Sequence, residues 1–174
     1  VFVVWMDHRS GYGEIYSKRS TDGGTTWEKD KRETSNAGVS ANPSVSISGS
    51  VLHLVWEEDR NGNNEIYYKR SLDKGVNWGP DRRLTNDSAV SRNPSLAASG
   101  PDLHVVWQDN RDGVAANNNE VDNYEVYYKR SLDSGRGWSL RPIPWNLTLG
   151  DKRLTQNISF SYLPAVAAAG SVVH

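Results

Sequence analysis

The octapeptide Ser-Thr-Asp-Gly-Gly-Thr-Thr-Trp at Ser20 to Trp27 returns as Ser-Leu-Asp-Lys-Gly-Val-Asn-Trp at Ser71 to Trp78, and as Ser-Leu-Asp-Ser-Gly-Arg-Gly-Trp at Ser131 to Trp138. All three read S-x-D-x-G-x-x-W. Self-similarity at a fixed period marks a repeat architecture, so this pattern governs the reading of the fold. Working outward, Trp5, Trp56 and Trp107 stand 51 residues apart, and each opens W-x-[DE]-x-R-x-G. Residues 1–174 therefore form one repeat segment, with units at about 5–55, 56–106 and 107–174. The third unit is longer, with insertions between Gly113 and Tyr124 and between Trp138 and Asp151.

Within the middle unit four stretches have strand character, being rich in β-branched and aromatic residues and bounded by Gly, Asn, Asp and Pro. They are Pro43 to Ser48, Val51 to Glu57, Glu65 to Ser71 and Arg82 to Thr85, labelled A to D. The near-continuous apolar run from Val51 to Trp56 predicts a strand covered on both faces. No stretch shows a sustained helical period with caps. Four short strands per 51 residues predict an all-β fold, a β-propeller with three four-stranded blades in this chain.

In order, the strands run B C D, A B C D, A B C D, A, and Ser171 to His174 begins another B. Three blades do not close a ring and would leave strand edges unpaired. Either two copies make a six-bladed homodimeric ring, strand A at Leu163 to Ala169 completing the sheet begun by Val1 to Asp7 of the other, or the chain is a piece of a longer protein.

Composition excludes several classes. Lys+Arg 20 against Asp+Glu 21 gives a formal net charge of -1, with no basic cluster, so nucleic acid is not an expected partner. No apolar run approaches the roughly 20 residues of a helical membrane span. With no Cys there is no disulfide scaffold, thiol nucleophile or Cys-ligated zinc.

The S-x-D-x-G-x-x-W octapeptide resembles the Asp-box, and the chain is similar throughout to the bacterial neuraminidase repeats of the sialidase superfamily. The resemblance implies a six-bladed sialidase-like propeller and an extracellular, cell-surface or periplasmic location. It also places the boxes at the blade periphery, away from an active site. Asp22, Asp73 and Asp133 read as turn residues whose carboxylates accept backbone N–H groups, with Trp27, Trp78 and Trp138 folding back as lids.

Ligand candidates fall on the B–C loops, at the end that carries ligand sites in that family: Asp7 with Arg9, Glu58 with Arg60, and Asp109 with Arg111. Arginine suits bidentate carboxylate recognition, and sialidases clamp their substrate's carboxylate with three of them. Against that, recurrence in every unit speaks for structural ion pairing. No catalytic residue is identifiable. The family's Arg-Ile-Pro element is missing, the nearest string being Leu140 to Pro144. No feature selects a nucleophile among Tyr12, Tyr124 and Tyr162, while Tyr16, Tyr67 and Tyr127 read as packing. The insertion after Gly113 makes Asp109, Asp112, Glu120 and Asp122 an oxygen-rich set for Ca²⁺, or simply a solvated loop with no cofactor. His53, His104 and His174 share one strand position and read as structural.

The leading expectation is a non-catalytic extracellular module that binds a glycan or a protein. The alternatives are an exo-glycosidase of sialidase type, or blades of a larger surface protein.

Overall fold

The computed structural model describes residues 1–112, 123–138, 151–156, 160–170 and 172–173. Among them every regular element is a strand, and no helix is long and apolar enough to cross a membrane. The first sheet joins β1 (Phe2–Asp7), β2 (Glu14–Arg19) and β3 (Lys31–Arg32). The second joins β4 (Ser40–Ser48), β5 (Val51–Glu58), β6 (Glu65–Ser71) and β7 (Arg82–Arg83). The third repeats that plan with β8 (Ser91–Ser99), β9 (Asp102–Asp109), β10 (Glu125–Ser131) and β11 (Lys152–Arg153). A last pair, β12 (Ala168–Ala169) and β13 (Val172–Val173), begins a further unit. All pairings are antiparallel, sheets follow one another in chain order, and the series is open.

Strand β5 shows why the sheets stack. It is buried along almost its whole length, and alternate side chains feed different cores. Leu54 and Trp56 meet Ile15 and Tyr67, with Val4, Val45 and Trp78 alongside, between sheets 1 and 2. Val55 points the other way and joins Ile66, Tyr68, Leu84, Leu96 and Trp107 between sheets 2 and 3. Trp56 and Trp107 are fully buried. An apolar run too continuous for a one-sided strand is thus a strand shared by two interfaces.

The expected strands are present with two changes. Strand A starts three residues earlier, because a bulge between Ala41 and Ser44 lets pairing resume beyond Pro43 at Ser40 and Ala41. Strand D is cut to two residues, because the Thr85 hydroxyl takes over as acceptor for the Ile66 N–H at 2.8 Å. In the last strand A only Ala168 and Ala169 pair, with Val172 and Val173 of the same chain.

Candidate functional site

Strand pairing of Ser40 with Glu58 and of Ser91 with Asp109 brings the B–C loops and the starts of the A strands to one end of the sheets. Here each W-x-[DE]-x-R element folds on itself. The indole N–H donates to the acid at 3.2 Å in Trp5 and Asp7, 2.7 Å in Trp56 and Glu58, and 3.0 Å in Trp107 and Asp109. The arginine returns to that acid, at 2.5 Å for Arg9 and Asp7 and 2.6 Å for Arg111 and Asp109, and Arg60 does the same with Glu58. Each guanidinium lies over a strand-C tyrosine, 4.7, 4.3 and 4.5 Å from the rings of Tyr16, Tyr67 and Tyr127. Each then reaches the acid before strand D: Asp30 at 2.7 Å, Asp81 at 2.8 Å and Asp151 at 2.8 Å. Arg111 also bridges to Asp87 of the preceding sheet at 3.0 Å.

These contacts set the charges. Hydrogen bonds from the side chain and backbone of Arg9, and from Trp5, hold Asp7 well below the usual carboxylate range. Burial opposes the charge on Asp109, but Arg111 overrides it and the carboxyl stays low. The three arginines thus sit one per sheet, each spent on acids and a ring.

A second set recurs at the same end and escaped the sequence reading. Glu14, Glu65 and Glu125 open the C strands fully buried. Each meets a strand-D arginine: Arg32, Arg83 at 2.5 Å and Arg153 at 2.9 Å. Thr34, Thr85 and Thr155 accept the N–H of the residue after each Glu, at 2.8 Å in all three sheets. The signal was the recurrence of R-x-T behind every E-[IV]-Y.

At the opposite end the S-x-D turns form as expected. Asp22 accepts the Thr26 N–H at 2.9 Å, Asp73 that of Asn77 at 2.9 Å, and Asp133 that of Gly137 at 2.8 Å. Those bonds favour the ionised form, and the Asn77 backbone and the Ser71 hydroxyl lower Asp73 to about 2. The turns also join sheets. Gly75 presses on Phe2 and Gly135 on Tyr68, both at positive φ, and a Cβ at either position would overlap the ring.

Of the calcium candidates, Asp109 is held by Arg111, while Asp112 accepts from the Tyr127 hydroxyl and lies 3.3 Å from Arg153. Glu120 and Asp122 lie outside the described residues, as do His174, Trp145 and the Leu140 to Pro144 string. Among the described residues no group of three or more His, Cys, Asp or Glu is placed to hold a metal. His53 and His104 bond Tyr68 and Tyr128 through Nδ1 at 2.9 and 2.8 Å. Burial, with the charge of Arg70, lowers His53 to about 4.

The unrepeated chemistry lies where the A strands begin. Asn42, Asn93 and Leu163 each take positive φ before a proline, and with Pro43, Pro94 and Pro164 they line an open cleft of ≈ 240 Å³. Glu57 accepts the Asn93 N–H at 2.6 Å, and Gln108 accepts the Leu163 N–H at 3.1 Å. The residue before each αL corner differs from sheet to sheet: Ala41, Arg92 and Tyr162. Arg92 is exposed, and no described acid pairs with it. It stands directly opposite Gln108 in the ladder, so the two side chains share the face on which Gln108 meets Leu163. Beside Leu163, Tyr162 is half exposed and stacks on exposed Phe160 at 5.4 Å, with Tyr124 at 6.0 Å. Arg92 and Tyr162 each stand next in sequence to a residue that lines the cleft. Tyr12, the remaining tyrosine candidate, is exposed on the first B–C loop.

This architecture has solved counterparts. The chain is similar to a Fusarium graminearum GH93 α-L-arabinofuranosidase solved with arabinobiose, at TM-score 0.64 and 18% identity over 98% of this chain and 50% of that one. It also resembles a Penicillium chrysogenum α-L-arabinanase complexed with arabinobiose, at TM-score 0.59 and 16% identity over 89% and 45%. A Hadza microbial sialidase matches at TM-score 0.56 and 16% identity over 72% and 30%. The fold is that of propeller glycoside hydrolases, and the chain spans half or less of the length of these structures. No family model and no curated sequence matches it.

Proposed function

We propose that this chain is the glycan-binding part of an exported propeller, and that the ligand lies over the cleft at the A-strand corners. One observation carries the reading: Arg92, exposed and without a described acid, shares a face with Gln108, whose side chain holds the Leu163 backbone next in sequence to the open Tyr162. Sugar rings present C–H groups to an aromatic face and hydroxyls to polar groups around it, and this cleft offers both kinds of partner. The repeated arginines of the B–C loops are already neutralised, which leaves Arg92 as the cation for an incoming ligand. Glycosidase neighbours of the same fold make a glycan the natural ligand class.

Glycan arrays followed by calorimetry test the reading. Binding should weaken at least tenfold in Arg92→Ala and in Tyr162→Ala, while unfolding free energies change by less than about 0.5 kcal/mol, as for surface changes. Silence at millimolar ligand would sink it.

Glu57 favours a second reading, an exo-glycosidase. Gln108 fills the same structural role without charge, so the carboxylate of Glu57, buried beside the cleft, exceeds what the corner needs. A carboxyl group so placed is suited to proton transfer. Turnover of fluorogenic arabinofuranosides or sialosides that disappears in Glu57→Gln would select this reading. Unchanged turnover in that variant would reject it.

A further inference from the structure

The end of the sheets that carries the S-x-D turns has a cleft of its own. It lies between sheets 2 and 3, measures ≈ 320 Å³, and its lining includes Tyr68, Arg70, Gly79, Asp81, Arg82 and Arg136. Two of the arginines reach across to the later sheet with one nitrogen each. Arg70 Nη1 donates to the Ser134 carbonyl at 2.7 Å, and Arg82 Nη1 to that of Arg136 at 2.7 Å. Among the described residues no acid forms an ion pair with Arg70, Arg82 or Arg136. Asp81, the acid in the lining, is held by Arg60 at 2.8 Å. The insertion from 139 to 150, which follows the turn, contains no Asp or Glu.

The repeat shows what the cleft lacks. In sheet 1 Arg19 holds the place of Arg70, and its Nε and Nη2 donate to the Glu28 carboxylate at 3.0 and 2.6 Å. Glu28 also gives its backbone N–H to the Arg19 carbonyl at 2.9 Å, and the residue that makes this bond to Arg70, again at 2.9 Å, is Gly79. Sheet 2 therefore keeps the arginine and the backbone of the pair without the carboxylate. The Arg70 Nε and Nη2 groups, which would hold it, have no partner among the described residues. Where the joint between sheets 1 and 2 has Lys31 and Val76, this one has Arg82 and Arg136, so positive charge gathers where the acid is missing.

We infer that this cleft binds the carboxylate of a uronic-acid unit in a glycan, in the place that Glu28 takes beside Arg19. A guanidinium edge with two free N–H groups is suited to that anion. The anion site rests on the arginines, and the glycan class rests on the function proposed above. An adjoining cleft of ≈ 390 Å³ shares Arg70, Gly79 and Pro80 with the first and continues to Trp78 and Asn77, which leaves room for sugar units beyond the acid group. Asp81 borders the first cleft and Asp73 the second. Sugar hydroxyls can donate to both, whereas a peptide with several carboxylates would be repelled there.

Calorimetry with trigalacturonate on the intact chain tests the inference. The wild type should bind it, and should bind the fully methyl-esterified trisaccharide about tenfold more weakly. Gly79→Glu is the decisive variant, since Gly79 has no positive φ and a Cβ there would meet nothing closer than the Arg70 carbonyl at 3.5 Å. The carboxylate it supplies should fill the site from within, as Glu28 does, and weaken trigalacturonate about tenfold without lowering the unfolding free energy. Arg136→Gln alters an exposed side chain and should weaken binding about threefold. Equal binding of acid and ester, binding that survives Gly79→Glu, a triglutamate peptide that binds as tightly, or silence at millimolar trigalacturonate each overturns the inference. Arg92→Ala should leave trigalacturonate binding unchanged, and a loss in that variant alone overturns it by moving the uronate to the A-strand corners. Trigalacturonate binding that is lost in Gly79→Glu, on a chain whose other glycan binding ignores Arg92→Ala, would sink the corner reading and leave this one standing.

Discussion

Arg9 and Arg60 occupy the same repeat position and make the same three contacts, yet the Arg9 side chain is 49% exposed and that of Arg60 21%. The difference is the preceding sheet. The backbone of Arg60 lies against Gly38, and the Asp59 carboxylate beside it accepts the Val39 N–H at 2.7 Å, whereas among the described residues no loop packs on Arg9 in this way. Trp56 and Trp5 differ in the same way, one fully buried between two sheets and the other only partly buried among the described residues. A unit of this fold therefore holds its own hydrogen bonds, but its solvation belongs to its neighbours, as expected of repeat proteins.

The largest test of that comparison is the tryptophan pair. Trp56→Ala should cost about 4 kcal/mol in urea unfolding, the usual range for a fully buried large aromatic, and Trp5→Ala clearly less. Equal costs would break the comparison.

Acid gives the next effect. His53 is neutral in the folded chain down to about pH 4, held there by burial and then by the charge of Arg70, while an unfolded histidine protonates near 6.5. The unfolded state takes up the proton first, so stability is intact above pH 6.5 and falls as pH drops towards 4, by about 3 kcal/mol. Unfolding free energies at pH 7 and pH 4 should differ by that much more in the wild type than in His53→Phe, whose side chain already occupies the equivalent place as Phe2. A pH dependence unchanged in the variant would assign the acid sensitivity elsewhere.

Smallest is the arginine pair itself. Arg60→Ala leaves the fully buried Glu58 without its cation and should cost about 2 kcal/mol, moderated because Arg60 is partly solvated. Arg9→Ala should leave the midpoint close to that of the wild type.

Much of the fold was legible along the chain. Three in-register octapeptides and the 51-residue spacing of Trp5, Trp56 and Trp107 named the unit, and β-branched runs bounded by turn residues placed its strands. The buried Glu and Arg sets escaped the reading, although Glu65 and Arg83 recur as regularly as the octapeptides. The cleft was not legible. Ala41, Arg92 and Tyr162 have no repeat signal, since their only common property is a place before an αL corner. At Asn42 and Asn93 that corner lies in a bulge that strand pairing creates.

By itself the sequence determined the period, the all-β class, the turn chemistry of Asp22, Asp73 and Asp133, and the local pairing of each loop arginine with the acid two residues before it. These depend on side chains within one unit, which hold the same distances wherever the unit stands. Only the tertiary structure decided which equivalent residues are buried, that Arg111 also answers to Asp87, and that Gln108, opposite Arg92, holds the Leu163 backbone. Those outcomes depend on stacking one sheet against the next, which brings together residues of different repeats and fixes how much water each group keeps.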